Sequence, residues 1–137
     1  MSKYVINSEM RQSDYQVMNH AGEHQFIADE PVIAKGTDAG PNPVQYLIAA
    51  LNSCLAISAK AVANNRHIDM RNLKVSSTGE TANLGKGRSA VTHIDTTVSF
   101  DCDLSAEDKQ KLFDRIVDVC TVHESLTGGV EMNIKLA

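Results

Sequence analysis

The sequence has no cluster of basic residues, and this absence excludes one large class of partner. Its 137 residues include 13 Lys and Arg against 17 Asp and Glu, which gives a formal net charge of −4. Binding to a phosphate backbone needs a basic patch or stripe, and neither the totals nor any local stretch supplies one. We therefore expect no nucleic acid partner.

A leader segment, an internal repeat and a linker between domains are also lacking. The opening MSKYVINSEM has no charged region followed by an apolar one, and it carries no lipidation motif. We therefore expect a cytoplasmic protein that makes no use of a membrane. A chain of this length is most simply one domain, so we predict a single domain over residues 1–137.

Cysteine is scarce, and the three that occur are too widely spaced for the disulfide framework of a small secreted protein. Cys102 alternates with Phe100 and Leu104 along a predicted strand, which places it on the inward face as a core residue. Cys54 and Cys120 are open to two interpretations. They are either inert core residues or a chemically active pair.

Metal ligands at short spacing are few as well. Cys120 and His123 could form half of a zinc site, but no second pair of Cys or His at matching spacing exists. A Cys-His hydrolase is disfavoured too, since no glycine-rich segment that could supply an oxyanion hole adjoins either cysteine. We therefore expect neither a metal nor a cofactor.

The longest apolar stretch, residues 41–67, predicts a long helix. Asn42 is a good N-cap and Pro43 suits the first helical position, so about 22 residues of helix should follow. The segment contains too many polar residues for a membrane span, yet it is apolar on more than one face. One small chain can scarcely cover such a helix, which predicts a homodimer.

The flanking segments predict an α+β fold. Residues 3–29 resemble a strand meander, after which Asp29 and Glu30 are most simply a solvated turn. Residues 73–82 and 89–104 predict a hairpin, and residues 105–120 a second helix that ends at Cys120. The apolar alternation of residues 128–137 predicts a last strand.

The positions of the two cysteines predict that their thiols differ in how readily they ionise. Cys54 lies eleven residues after Pro43, beyond the first turn in which a helix dipole stabilises a thiolate, so a group outside its helix must activate it. Cys120 lies at the predicted C-terminus of a helix, where the dipole disfavours a thiolate. Cys54 is therefore the better candidate nucleophile, and Cys120 the better partner to attack it afterwards.

Two segments resemble the OsmC-like family. Residues 27–63, IADEPVIAKGTDAGPNPVQYLIAALNSCLAISAKAVA, are similar to the family's first motif, in which an acidic segment, a Gly/Pro loop and a long helix lead to a cysteine. Residues 120–134, CTVHESLTGGVEMNI, resemble its second motif, with Thr121 where the family has proline. The resemblance implies antiparallel sheets packed around a long central helix and a second helix, in an intertwined homodimer.

The resemblance also implies an activity, that of an antioxidant peroxidase of the stress response. On that basis Cys54 attacks an organic hydroperoxide or hydrogen peroxide and becomes a sulfenic acid. Cys120 resolves it to a disulfide, and a dithiol reductant restores both thiols. The alternative is a non-enzymatic dimeric domain of the same fold that binds an apolar ligand at the dimer seam.

The sequence departs from the family pattern near the first cysteine. The hydroperoxide-reducing members have a glutamate ten residues before it, which helps to position an activating arginine. Val44 stands at that position here, with Gln45 beside it. Gln45 and Arg11, the basic candidate from the N-terminal strands, are the supporting residues that the resemblance implies, and the departures resemble the poorly characterised OsmC-like branch.

Overall fold

A strand meander, a long helix, a hairpin and two shorter helices follow one another along the chain. The structure is a computed structural model that describes all residues from 1 to 137. It contains two compact units, Met1–Leu47 and Ile48–Ala137. The predicted α+β class is confirmed, with two antiparallel sheets and three helices, and the order of elements departs from the prediction only after the second helix.

The N-terminal unit contains a three-stranded antiparallel sheet. Strands β1 (Asn7–Met10), β2 (Val17–Ala21) and β3 (His24–Ala28) pair in the order β1-β2-β3, which confirms the predicted meander. A two-residue loop joins the last two strands and starts at Gly22, whose φ of 60° is favourable only for glycine and a few polar residues. The glycine therefore fixes this hairpin.

The loop after β3 is organised by one buried carboxylate. Asp29 is 1% exposed and accepts hydrogen bonds from the backbone N–H groups of Glu30, Thr37 and Ala39 and from the Thr37 hydroxyl. The Thr37 hydroxyl outweighs burial, and with the three N–H groups it lowers the pKa of Asp29. The interpretation of Asp29 as a solvated turn residue was wrong, because local sequence does not show which loop amides converge on a side chain.

Helix α1 (Pro43–Asn65) begins where the sequence predicted. The Asn42 side chain accepts a hydrogen bond from the Gln45 backbone N–H at 2.9 Å, and the Gln45 side chain accepts one from the Asn42 N–H at 2.8 Å. This is a reciprocal capping box, which satisfies two N–H groups that the helix leaves free. The observed 23 residues agree with the predicted length of about 22.

By length and composition α1 could cross a membrane, since its most apolar window has a mean hydropathy of 1.5. One such helix is weak evidence for a span, and it does not overturn the prediction that α1 is a core helix. A core helix of a soluble domain passes the same test. Leu51, Leu55, Ala59 and Ala63 form a buried stripe on α1, with four-residue spacing along one face.

A long antiparallel hairpin follows α1. It consists of β4 (Arg71–Gly85) and β5 (Arg88–Asp101), joined by Lys86 and Gly87. Both loop residues have positive φ, 54° and 73°, as a type I′ hairpin turn requires. The predicted hairpin is confirmed, with a longer first strand, a second strand that ends earlier than predicted, and a shorter turn. Because β5 ends at Asp101, Cys102 lies just past the strand, where it packs half-buried against the core, as predicted.

Helix α2 (Ala106–Asp118) closes the core of the C-terminal unit. The Ser105 side chain caps it by accepting a hydrogen bond from the Asp108 N–H at 3.2 Å. Leu112 and Ile116 are almost fully buried. The core cluster that they join consists of Leu51, Leu55, Ala59, Ala63, Met70, Phe100, Leu112, Ile116 and Cys120.

A third helix, α3 (Thr121–Gly128), was not predicted. Cys120 is its N-cap, and Val119 is already the C-cap of α2. The prediction that Cys120 ends the second helix was therefore wrong, and the dipole argument built on it fails. Gly129, with a φ of 78°, closes α3.

The predicted last strand is also absent. Residues 129–137 form no helix or strand, and the alternating apolar side chains of this tail are exposed. The exposed fractions rise from 64% at Val130 to 76% at Met132, 92% at Ile134 and 99% at Leu136. An alternating pattern becomes a strand only beside another strand, and no strand of the same chain pairs with this one.

Candidate functional site

Cys54 and Cys120 lie side by side in the C-terminal unit. Cys54 is half-buried in the middle of α1, and Cys120 is fully buried at the start of α3. Their side chains are within hydrogen-bonding reach of each other, and neither is in a disulfide. The structure therefore brings together the two residues that the sequence nominated as catalytic.

The start of α3 faces the sulfur of Cys54. The first N–H groups of a helix have no partner within it and carry its positive dipole end. Hydrogen bonding from those of Val122 and Thr121 lowers the pKa of the Cys54 thiol, as does hydrogen bonding from the side-chain hydroxyl of Ser58, one turn further along α1. Groups outside the helix of Cys54 thus favour its thiolate, and two of them belong to a second helix.

The balance of these contacts favours the thiolate of Cys54. Burial raises the pKa of this thiol, but the N–H groups of Val122 and Thr121 and the Cys120 and Ser58 side chains lower it by more. Each of them hydrogen-bonds the charged form and so stabilises it. The pKa of Cys54 is therefore below that of an ordinary cysteine.

Cys120 is shifted in the opposite direction. Burial is the main cause of its raised pKa, and although the backbone N–H of His123 lowers it, the neighbouring Cys54 thiolate raises it further. Two negative sulfurs in contact would repel each other, so only one of the pair ionises readily. The raised pKa therefore favours the neutral thiol at Cys120, whereas the lowered pKa favours the thiolate at Cys54.

The proposed supporting residues belong to the N-terminal unit. Arg11 follows β1, is exposed, and donates its backbone N–H to the Gln16 carbonyl at 2.8 Å. The side-chain oxygen of Gln45 is engaged in the capping box of α1. Val44, where the glutamate would stand, offers no hydrogen-bonding side chain. The supporting roles of Arg11 and Gln45 stay predictions.

Sequence reasoning missed the groups that contact the sulfur of Cys54. Backbone N–H groups have no sequence signature, and a cysteine N-cap is not among the residues that mark helix starts. The one available signal was Gly128-Gly129 after an apolar residue pattern, which is typical of a helix end. That signal could have indicated α3.

No group of three or more His, Cys, Asp or Glu side chains is arranged to hold a metal ion. His123, the other half of the considered Cys-x-x-His motif, lies in the first turn of α3. Hydrogen bonding from its backbone N–H lowers the pKa of Cys120 in part, and its Nδ1 atom is buried without a hydrogen-bond partner. The chemistry that these side chains can support is therefore that of two thiols whose pKa values are shifted in opposite directions.

Fold and site together define an α+β protein with an adjacent pair of thiols of opposite pKa shift. The family model of OsmC-like proteins matches residues 36–135, and the chain belongs to this OsmC-like family. No curated protein matches the chain by sequence.

Several solved structures share the fold. The OsmC-like protein from Mycoplasma pneumoniae superposes with a TM-score of 0.82 at 22% identity, over 93% of this chain and 89% of that chain. The organic hydroperoxide resistance protein OsmC from Legionella pneumophila gives 0.68 at 15% identity, over 93% and 91%. An organic hydroperoxide resistance protein from Elizabethkingia anophelis gives 0.70 at 15% identity, over 96% and 92%.

The opposite pKa shifts predict different pH profiles of alkylation for the two cysteines. The thiolate is the reactive form, so Cys54 should reach half-maximal reactivity with iodoacetamide at a lower pH than Cys120. Timed alkylation between about pH 5 and pH 10, followed by peptide mass spectrometry, measures both midpoints. The Cys102 peptide serves as an internal reference. A lower alkylation midpoint for Cys120 than for Cys54 would contradict the assignment of Cys54 as the more acidic thiol.

Ser58→Ala should raise the pKa of Cys54, because it removes a hydroxyl that stabilises the thiolate. The alkylation midpoint of Cys54 should move to higher pH, and its rate at neutral pH should fall several-fold. Ser53→Ala is the matched control, since Ser53 is exposed on the same helix. An unchanged alkylation midpoint of Cys54 in Ser58→Ala would show that the Ser58 hydroxyl does not stabilise the thiolate.

Proposed function

We propose that this protein is a thiol-dependent peroxidase that reduces organic hydroperoxides or hydrogen peroxide. The observation that carries the proposal is the contact between two free thiols, one with a lowered and one with a raised pKa. A peroxidatic sulfur must be ionised, whereas a resolving sulfur needs only to reach it. Cys54 and Cys120 meet these two requirements.

In the first step the Cys54 thiolate attacks the outer oxygen of the hydroperoxide ROOH. A sulfur–oxygen bond forms and the oxygen–oxygen bond breaks, so that the sulfur is oxidised to sulfenic acid and the peroxide is reduced. The leaving alkoxide takes a proton and departs as the alcohol ROH, or as water from hydrogen peroxide. The N–H groups of Thr121 and Val122 hold the attacking sulfur in place before this step.

In the second step Cys120 attacks the Cys54 sulfur. A sulfur–sulfur bond forms, the sulfur–oxygen bond breaks, and the sulfenic hydroxyl takes the proton of the Cys120 thiol and departs as water. A dithiol reductant then reduces the disulfide by two exchange reactions and is itself oxidised. No metal or cofactor is needed at any step.

This activation differs from the one that the resemblance implied. With Val44 in place of the family's glutamate, we propose that α3 and Ser58 supply the main stabilisation of the Cys54 thiolate. Arg11 and Gln45 then have secondary roles. The hydroperoxide-resistance proteins that share the fold support the choice of substrate, and a reducing cytoplasm would keep both thiols ready.

Cys54→Ser should abolish peroxide consumption, because no thiolate is left to attack. Cys120→Ser should let Cys54 react once and stop at the sulfenic acid, which dimedone traps for mass spectrometry. Consumption of cumene hydroperoxide in the presence of a dithiol, measured by a ferrous-oxidation assay, gives the turnover. Cys102→Ser is the matched control and should turn over like the wild type, since Cys102 packs against the core.

Full turnover by Cys54→Ser would contradict the proposal. Cys54 reacting with peroxide no faster than an ordinary thiol would instead favour a non-enzymatic domain that binds an apolar ligand at a dimer seam. The two outcomes are distinguishable, because the ferrous-oxidation assay measures turnover and dimedone trapping measures the sulfenic acid of Cys54.

We also propose that the protein is a homodimer. The apolar residues that alternate along the tail beyond Gly129 are 64% to 99% exposed, and Ile57 on α1 is 70% exposed. The tail has the pattern of a strand but no neighbouring strand in its own chain, so a strand of a second copy would pair with it. Two-fold symmetry would give the tail of the second copy the same partner. A second copy thus accounts for the exposure of both features.

The dimer should sediment at twice the mass of the 14.9 kDa chain. The double variant Ile57→Glu and Ile134→Glu should shift the equilibrium to the monomer, because charges would be buried in the interface. Leu84→Glu, at the tip of the β4–β5 hairpin, is the control and should leave the mass unchanged. A wild-type monomer at micromolar concentration in sedimentation velocity would refute the proposal.

A further inference from the structure

A cleft of about 400 Å³ lies between β5 and α2 in the C-terminal unit. Its apolar walls come from Val98 and Phe100 near the end of the strand and from Ala106 and Phe113 of the helix. The volume is within the range of pockets that bind small molecules. Lys109 is the one charged residue in the lining, which contains no acidic residue. The cleft therefore combines apolar surface with a single positive charge.

The spacing of residues along α2 leaves Lys109 without a carboxylate partner. Side chains three and four residues apart on a helix are neighbours. The residues at those distances from Lys109 are all uncharged: Ser105, Ala106, Leu112 and Phe113. Lys111, by contrast, forms an ion pair of 3.0 Å with Glu107, four residues before it. Arg115 likewise pairs with Asp118, so Lys109 is the only cation of α2 without an ion pair.

The ammonium group of Lys109 is held in place by Phe100. Its Nζ atom donates a hydrogen bond of 2.6 Å to the backbone carbonyl of Phe100 and lies 4.8 Å from the centroid of the phenyl ring. The negative face of an aromatic ring attracts a cation. An ammonium has three N–H donors, and the carbonyl takes only one of them. A positioned, half-buried cation thus has donors left for an anion.

The charge and the walls of the cleft together indicate the class of ligand. One ammonium balances the single negative charge of a carboxylate, whereas a phosphate group carries nearly two negative charges at neutral pH. The Gln110 side chain, also in the lining, donates one N–H to Asp114 at 2.9 Å and has a second donor left. An apolar group beside the carboxylate would remove the surfaces of Val98 and Phe113 from water.

We propose that the cleft between β5 and α2 binds a small monocarboxylate with one aromatic ring or a short branched chain, whose carboxylate forms an ion pair with Lys109. The ring or chain packs against Val98 and Phe113. This binding site goes beyond the proposed peroxidase, because neither Cys54 nor Cys120 lines the cleft.

The test compares benzoate with benzamide, which has nearly the same shape but no charge. NMR titration of the Val98 methyl and Phe113 ring signals in the full-length protein gives both affinities, and inorganic phosphate is the third probe. Benzoate should bind about three- to tenfold more tightly than benzamide, as expected of a charge-assisted hydrogen bond at a partly exposed site. This preference should decrease as salt is added, because salt screens the ion pair.

Substitutions on α2 separate the charge from the cleft. Lys109→Met removes the charge and keeps most of the side-chain volume, so the preference for benzoate should be lost while benzamide still binds. Lys111→Met is the matched control, because it changes the net charge equally at a lysine that is paired with Glu107, and it should keep the preference. Ala106→Phe should fill the cleft and weaken the binding of both probes. Gln110→Phe fills it from the next turn if the first variant does not fold.

Several results would overturn the inference. Equal affinity for benzoate and benzamide, or a preference for benzoate that persists in Lys109→Met, would exclude the ion pair. Phosphate that binds as tightly as benzoate would exclude a role for the apolar walls. Failure of benzoate to bind, or unchanged binding in both cleft-filling variants, would exclude the cleft itself.

The thiol variants distinguish this site from the proposed peroxidase. Benzoate should bind Cys54→Ser as tightly as it binds the wild type, because no thiol contributes to the cleft. Loss of benzoate binding in Cys54→Ser would assign the probe to the thiol pair and would overturn the inference. A protein that binds benzoate as expected and consumes no peroxide would keep the cleft assignment and lose the peroxidase.

Discussion

Two backbone N–H groups, those of Thr121 and Val122, determine what the thiol pair can do. Without them and the side-chain hydrogen bonds, burial would raise the pKa of Cys54 as it raises that of Cys120, and the pair would hold two protonated thiols. Because amides donate without being titrated, their effect on the Cys54 thiol does not depend on pH. The start of one helix thus lowers the pKa of a thiol in the middle of another.

The parts of the fold that the sequence predicted are those with local causes. The start of α1 follows from Asn42 and Pro43, and the β4–β5 hairpin follows from alternating residues on either side of a glycine-rich turn. Cys54 could be judged on its position in a helix that the sequence predicted correctly, whereas the position assigned to Cys120 was wrong. Family resemblance then added their roles, which local pattern alone left open.

The parts that were not predicted depend on contacts between distant segments. Helix α3 has eight residues, too few for a clear apolar period, and its cap is a cysteine. Its contact with Cys54 joins segments more than sixty positions apart and is made by backbone atoms that no residue type encodes. The prediction of a last strand was wrong for a related reason. An alternating pattern indicates which face is apolar, but it does not indicate which chain provides the neighbouring strand.

Only a few residues hold the loop after β3 in its conformation. Asp29 holds it through Glu30, Thr37 and Ala39, and Gly36 cannot accept a side chain, because a Cβ there would lie 1.9 Å from the carbonyl oxygen of Glu30. Between these anchors Val32 and Ile33 are 71% and 95% exposed and contribute nothing to the core. The path of this loop is therefore held by polar contacts and by one glycine, without an apolar side chain buried beneath it.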